Sequence, residues 1–267
     1  MNWRAIRAIV RRDLAVVARS KAVIVPMIVM PVLFVLVMPV LAGLIAQLEL
    51  PPRDLADLLR TVPQEIVRDL PEESGPRLAG LVLGSLLPPL TLVVPLIVAQ
   101  VIATDAVAGE RERGTLEGLL LAPVSDRDLL VAKLLVALIP AYVVLFGGTL
   151  VYAIVTDVML WSAIGGPFLP TVNWLLLVLW LGPSLAGAAL ALSLVISART
   201  RTIQGAQQIA GVSVLPLVFI IVGQFSGLVF LNRLLVIVVG VVLWCLAVLF
   251  VWIGSRSLAR ERLGSRL

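Results

Sequence analysis

Glu110, Arg111, Glu112 and Arg113, followed by Gly114, Thr115, Leu116, Glu117, Leu119 and Leu120, are the residues whose types and spacing could act on another molecule. They lie within Gly109–Lys133, between the charge-free runs Leu78–Thr104 and Leu134–Thr156. Alternating charge leading into leucines at helical spacing is the chemistry of docking. Covalent chemistry has little to draw on elsewhere. The chain has no histidine, which removes the commonest general base and transition-metal ligand. Its one cysteine, Cys245, excludes an intrachain disulfide, and no Cys/His metal cluster can form. No GxxxxGK[ST] loop is present to cradle a nucleotide, and without histidine there is no Ser-His pair. The sequence predicts no catalytic, cofactor-binding or metal residue. Any energy for work on a substrate arrives from elsewhere.

The elements that must position the docking stretch are membrane spans. Of the 267 residues, 60% are hydrophobic and 14% charged, with a mean hydropathy of +1.10. Soluble domains run to about 45–50% apolar and about 25% charged residues. Charge-free runs fall at Ala22–Leu48, Leu78–Thr104, Leu134–Thr156, Val158–Ala198, Thr202–Asn232 and Leu234–Ser255. Each exceeds the roughly 20 residues that cross the hydrocarbon core as a helix. The expected fold is an all-α integral membrane protein of six transmembrane helices, one transmembrane domain over residues 1–267. The first run is too long for a cleaved signal peptide. With six spans, residues 1–21, 105–133, 199–201 and 256–267 share one side and hold 16 of the 21 basic residues. That side, with both termini, is predicted to be cytoplasmic. The positive charge reads as topology signal and contact with membrane lipid, with no soluble basic surface for nucleic acid.

Residues 3–19 read as an amphipathic helix in the cytoplasmic interface. Trp3, Ile6, Ile9, Val10, Leu14, Val16 and Val17 share its apolar arc, and Arg4, Arg7 and Arg11 line the other side. Asp13 falls within the arc, either paired with a basic group of the bundle or a partner, or reaching for water. Pro26, Pro31 and Pro39 predict kinks in the first span, as do Pro88, Pro89 and Pro95 in the second. Residues 49–77 form a small external cap with two short amphipathic helices, Leu55–Val62 and Ile66–Leu70. Gly80 and Gly84 stand in GxxxG spacing, and the fourth span carries small-xxx-small pairs suited to close packing within the chain. The third span is expected to end at Asp157. In the fifth, Gln204, Gln207, Gln208 and Gly211 share a face that needs polar partners. It points into the bundle, to a subunit interface or to a polar substrate path. Past Gly223 the pattern breaks, and a short re-entrant helix before the sixth span would use the extra length. No Asp, Glu, Lys or Arg is expected deep in the membrane.

Within the loop, Thr115–Leu121 forms a short helix with a leucine patch, which Pro123 stops. Ser125-x-x-Asp128 then caps the third span. A purely solvated loop has no use for the leucines, whereas a helix that docks on another protein does. From the residues alone a membrane scaffold or sensor recruiting a cytoplasmic protein remains open. An ion-coupled carrier ranks third, because such carriers usually place ionisable groups near the midplane.

The run Glu110-Arg111-Glu112-Arg113-Gly114-Thr115-Leu116-Glu117, with Pro123, Ser125 and Lys133, resembles the permease subunits of type-2 ATP-binding-cassette (ABC) exporters, the multidrug- and sodium-exporter-like group. Six spans, the amphipathic N-terminal helix and the broken fifth span are similar too. The resemblance implies a cytoplasmic coupling helix between spans two and three that docks on separate ABC ATPase subunits. It also implies a second permease copy, as a homodimer or a heterodimer with a related permease. ATP and Mg would sit on the partner ATPase, and the setting would be a bacterial or archaeal cell membrane. Gln204, Gln207 and Gln208 are candidates for the substrate path, whose mostly apolar walls suit amphiphiles. The external segment 49–77 is shorter than in many sodium-exporter-like relatives.

Overall fold

The computed structural model describes residues 2–46, 57, 59–60, 62–68, 70–71, 73–112, 114, 124–200, 202–226 and 232–257. Among them all regular structure is helical. Six helices are long and apolar enough to cross a membrane: Val23–Leu44, Gly75–Thr104, Arg127–Trp161, Val172–Ser197, Ile203–Gln224 and Arg233–Gly254. The second and fourth are 72% buried, against 17–22% for the first, fifth and sixth. The centre of the bundle is therefore built from spans two and four. The small residues expected to pack closely are there: Gly182, Ser184, Ala186, Ala188 and Ala191 are all buried.

Helix α1 (Trp3–Val17) precedes the first span, with Asn2 as its N-cap. Its apolar arc is narrower than expected. Ile6 and Val17 are buried, but Trp3 and Val16 are exposed. The inward stripe runs through Asp13, which is 8% exposed and belongs to the bundle. Of the two alternatives for Asp13, pairing inside the protein is the one observed.

The third span does not end at Asp157. One helix runs unbroken from Asp126 to Ile164 and stops at Gly165, whose positive φ of 73° closes it with a left-handed cap. Asp157 can sit on this helix because its charge is used locally. Its Oδ1 accepts the backbone N–H groups of Phe168 (2.9 Å) and Leu169 (2.8 Å) and folds the outer turn back. Phe168 then lies over the GxxxG pair. A Cβ at Gly84 would stand 2.5 Å from the ring, and one at Gly80 would stand 3.5 Å from it. The two glycines seat an aromatic ring from the outer turn.

Proline shapes most of the other spans, through the carbonyl four residues earlier that loses its donor. The first span widens to a π-helix at Val32–Val37, ahead of Pro39. The second does so at Val82–Leu86, ahead of Pro88 and Pro89. There Leu87 N–H reaches back five residues to the Val82 carbonyl. The Ser85 carbonyl takes the Gln224 amide instead (2.8 Å), and the Leu83 carbonyl takes the Tyr152 hydroxyl (2.6 Å). The fourth span, for which no kink was expected, has the same device at Leu177–Leu181, ahead of Pro183. The fifth tightens to a 3-10 turn at Val212–Val214, ahead of Pro216. In hydrocarbon each freed carbonyl must find a donor from a neighbour.

In the external segment, helix Gln64–Arg68 places Val62, Ile66 and Leu70 against Leu81. The other expected cap helix falls largely outside the described residues. The fifth span continues to Phe225, and the expected re-entrant segment falls on 227–231, also outside them.

Gly84→Ala should force the Phe168 ring off its seat and destabilise the protein by about 1–3 kcal/mol. In a double-mutant cycle with Phe168→Ala, the loss at Gly84 should largely vanish, as read by thermal unfolding in detergent.

Candidate functional site

The second span does not end where its charge begins. Its helix continues through a π segment, Asp105–Gly109, into a last turn, Glu110–Glu112. No proline precedes this π segment, so a different cause is needed. Ser197 of the fourth span supplies it. The Ser197 hydroxyl accepts the Ala108 N–H (2.9 Å) and donates to the Thr104 carbonyl (2.7 Å). These two backbone groups would pair with each other in a regular helix, and an inserted hydroxyl opens the ladder between them.

The widened turn rotates Glu110 inward. Glu110 is 6% exposed and Lys133, two turns into the third span's helix, is 3% exposed. Lys133 Nζ donates to Glu110 Oε1 (2.8 Å) and to Asp13 Oδ2 of α1 (3.0 Å). Arg12 closes the figure, through Nε to Asp13 Oδ1 (2.8 Å) and Nη2 to Glu110 Oε1 (3.1 Å). Two carboxylates and two cations form a neutral square over three elements. Neutrality and multiple hydrogen bonds are what make such burial tolerable. No charge was expected deep in the membrane, and these buried charges lie at the end of the bundle where α1 meets spans two and three. Their meeting could not be read from the sequence, because Asp13, Glu110 and Lys133 lie in three separate segments.

Two further contacts tie neighbouring elements to the same place. Asp128 Oδ2 accepts the Asn2 N–H (3.2 Å), joining the head of the third span to the start of α1. Ser125 caps that span as expected, accepting the Asp128 N–H (3.2 Å), while the Asp128 side chain turns to α1. Glu112 Oε2 accepts the Ile203 N–H (2.9 Å), placing a carboxylate on the first turn of the fifth span. The last turns of span two thus touch α1 and spans three, four and five.

Of the predicted docking residues, Glu110 is turned into the protein and Glu112 is exposed at the fifth span. Arg111 lies on the last helical turn. Gly114 follows with a positive φ of 69°, a conformation that ends a helix readily in glycine. Arg113, Thr115, Leu116, Glu117, Leu119 and Leu120 lie outside the described residues. The described helices stop at Glu112 and resume at Asp126, inside the 105–133 bounds expected for the loop.

Gln204, Gln207 and Gln208 are exposed, in line with exposed Val212, Leu215 and Phe219, while Ala206 and Ala210 are buried behind them. The glutamine face points away from this chain's own bundle. The amide that does bind inside it, missed in the sequence, is Gln100. Its Nε2 donates to the Ala210 carbonyl (3.1 Å) and to the Ser213 hydroxyl, beside the 3-10 turn of span five. Gln100 stands alone in an apolar run, and a lone amide in such a run was the available signal. Ser197 gave none, being one hydroxyl among many small residues.

A family model described as ABC-2 family transporter protein matches residues 7–240, from α1 into the sixth span. The chain belongs to the ABC-2 transporter family. No curated protein matches it. It is a transmembrane subunit of an ABC transporter, and six apolar helices make it an integral, multi-pass membrane protein. The scaffold and ion-coupled-carrier readings fall with that membership. ABC-2 permeases are typically non-catalytic, and the family implies association with an ABC ATPase.

Lys133→Met would strand two buried carboxylates, and a loss of about 3–5 kcal/mol in stability is expected. Adding Asp13→Asn and Glu110→Gln should recover a large part of it. Unfolding midpoints of the purified permease test both statements.

Proposed function

We propose that this permease is the membrane half of an ATP-driven exporter, and that force from the ATPase enters through the segment following Glu112. The observation that carries the reading is the buried square. Glu110 and Lys133 flank the loop on its two sides, and one ammonium holds both flank and α1 together. A push on residues 113–123 is transmitted to spans two and three at once, without slack. The Glu112 contact carries it to span five, whose 3-10 turn and Pro216 make it the deformable member. Glu112, Arg113 and Thr115–Leu120 are the contact surface for the ATPase, with Arg111 on the turn that leads to them. Glu110, named with them from the sequence, transmits from within.

In this reading both termini and the loop are cytoplasmic, in a bacterial or archaeal cell membrane. The permease works as a homodimer, or as a heterodimer with a related permease, with ATP and Mg on the separate ATPase subunits. The exposed face with Gln204, Gln207 and Gln208 is the side toward the second copy or the path between copies. Amides exposed on a lone bundle gain partners there that lipid does not offer.

Contact and transmission separate experimentally. Leu116→Asp with Leu119→Asp, or Glu112→Arg, should weaken co-purification of the ATPase by at least about tenfold in apparent affinity. Asp13→Asn should leave co-purification intact and lower substrate-stimulated ATP turnover. Full stimulated turnover in Asp13→Asn would remove the square from the coupling route. Unchanged co-purification of the leucine variant would remove the docking segment.

A further inference from the structure

The end of span two is gripped from both sides of one connection. Ser197 is the last residue of the span-four helix, and Ile203 is the first of the span-five helix. The Ser197 hydroxyl stands inside the π segment, between the Thr104 carbonyl (2.7 Å) and the Ala108 N–H (2.9 Å). Past that segment, the Ile203 N–H holds Glu112 Oε2 (2.9 Å). Lys133 and Arg12 hold Glu110 Oε1 (2.8 and 3.1 Å). Thr104, Ala108 and Ser197 are all 0% exposed, so water cannot take the place of the hydroxyl.

Two windings satisfy the backbone here. A π turn spans one residue more than an α turn. Without the hydroxyl, the Thr104 carbonyl and the Ala108 N–H bond each other as the i and i+4 groups of an ordinary helix. Ser197 then donates to the carbonyl four residues back on its own helix, as helical serines do. Neither winding orphans a buried polar group of the ladder, which is what a two-state element requires. What differs is the phase of everything that follows. Closing the π segment to α winding turns the chain after Gly109 by about 100° and advances it by about 1.5 Å. That takes Glu110 off Lys133 and Arg12, and Glu112 off Ile203, while Asp13 keeps both cations.

We propose that Ser197 is a positioning residue that sets the register of the last turns of span two. Inserted, it presents Glu110 and Glu112 to their partners; withdrawn with span four, it releases both. The position of span four against span two is thereby expressed at the root of the 113–123 segment. This goes beyond the coupling reading, and it holds whether or not that segment docks on an ATPase.

The test uses the full-length permease in detergent, with Cys245→Ser removing the native thiol. Nitroxide labels are placed at Arg111→Cys, on the last turn of span two, and at Arg127→Cys, exposed on the first turn of the third span's helix. Ser197→Ala should shift the distance between the labels by roughly 5 Å, as a turn of about 100° does on a helix about 10 Å across. Ser193→Ala is the control. It removes an equally buried hydroxyl, one turn back on the same helix, that has no hydrogen-bond partner, and the distance should keep its wild-type value. Thermal unfolding gives a second measure. The Ser197 hydroxyl bonds to Thr104 and Ala108, yet the midpoint loss from Ser197→Ala should shrink by at least roughly half in a Glu110→Gln background. A purely local loss of hydrogen bonds would add to that of Glu110→Gln instead. An unchanged distance in Ser197→Ala, an equal shift in Ser193→Ala, or additive midpoint losses would overturn the register role.

Discussion

Lys133 holds carboxylates from two other elements within 3.0 Å while almost wholly removed from solvent. An ammonium cannot be buried this way unless its partners are fixed, because desolvation costs several kcal/mol per ion before any attraction is gained. The consequence is geometric. Asp13 must be brought in by α1, so α1 packs against the bundle with a charged stripe inward and leaves Trp3 and Val16 outside. Glu110 must be brought in by the end of span two, which is possible only because the helix there is widened by one inserted hydroxyl from Ser197. The arrangement of this whole end of the bundle follows from satisfying one cation.

The membrane interior obeys a related constraint with weaker groups. Prolines free carbonyls along the spans, and lipid offers them no donor. The rescuers are single side chains from other helices: Tyr152 and Gln224 for the π segment of span two, and Gln100 beside the 3-10 turn of span five. Each rescue is also a tether between spans. The kinks are thus held by specific cross-helix bonds, and a span can rearrange only by exchanging them. Span five is held to span two by Gln100 and Gln224 at two heights, and between those points it presents exposed apolar residues. Its 3-10 turn at Val212–Val214 lies beside the first of these tethers.

Much of this was legible in the chain. Six uncharged runs and their lengths gave the spans, and the residues 110–117 carried the family resemblance. Ser125 was read correctly as a cap because its partner lies three residues away. What could not be read had partners far off in sequence. Asp13 lies 120 positions from Lys133, and Gln100 lies 113 from Ser213. The same applies to Asp157, which looked like the end of a span because a carboxylate on a lipid-facing helix is costly. Only the folded turn shows the two N–H groups that occupy it. Gly80 and Gly84 had the spacing of a helix–helix motif, and spacing alone does not distinguish a helix from a phenyl ring as the visitor.

The loop itself gains a sharper boundary from these contacts. The two carboxylates of its charged opening point in different directions. Glu110 is spent inside, Glu112 is spent on the backbone of span five, and Gly114 then ends the helix with a positive φ. Glu110 and Lys133 lie one on each flank, so the leucine-bearing segment between them is held at both ends by the same ammonium. The ends of spans two and three are thereby fixed to each other and to α1 at one buried ion-pair group.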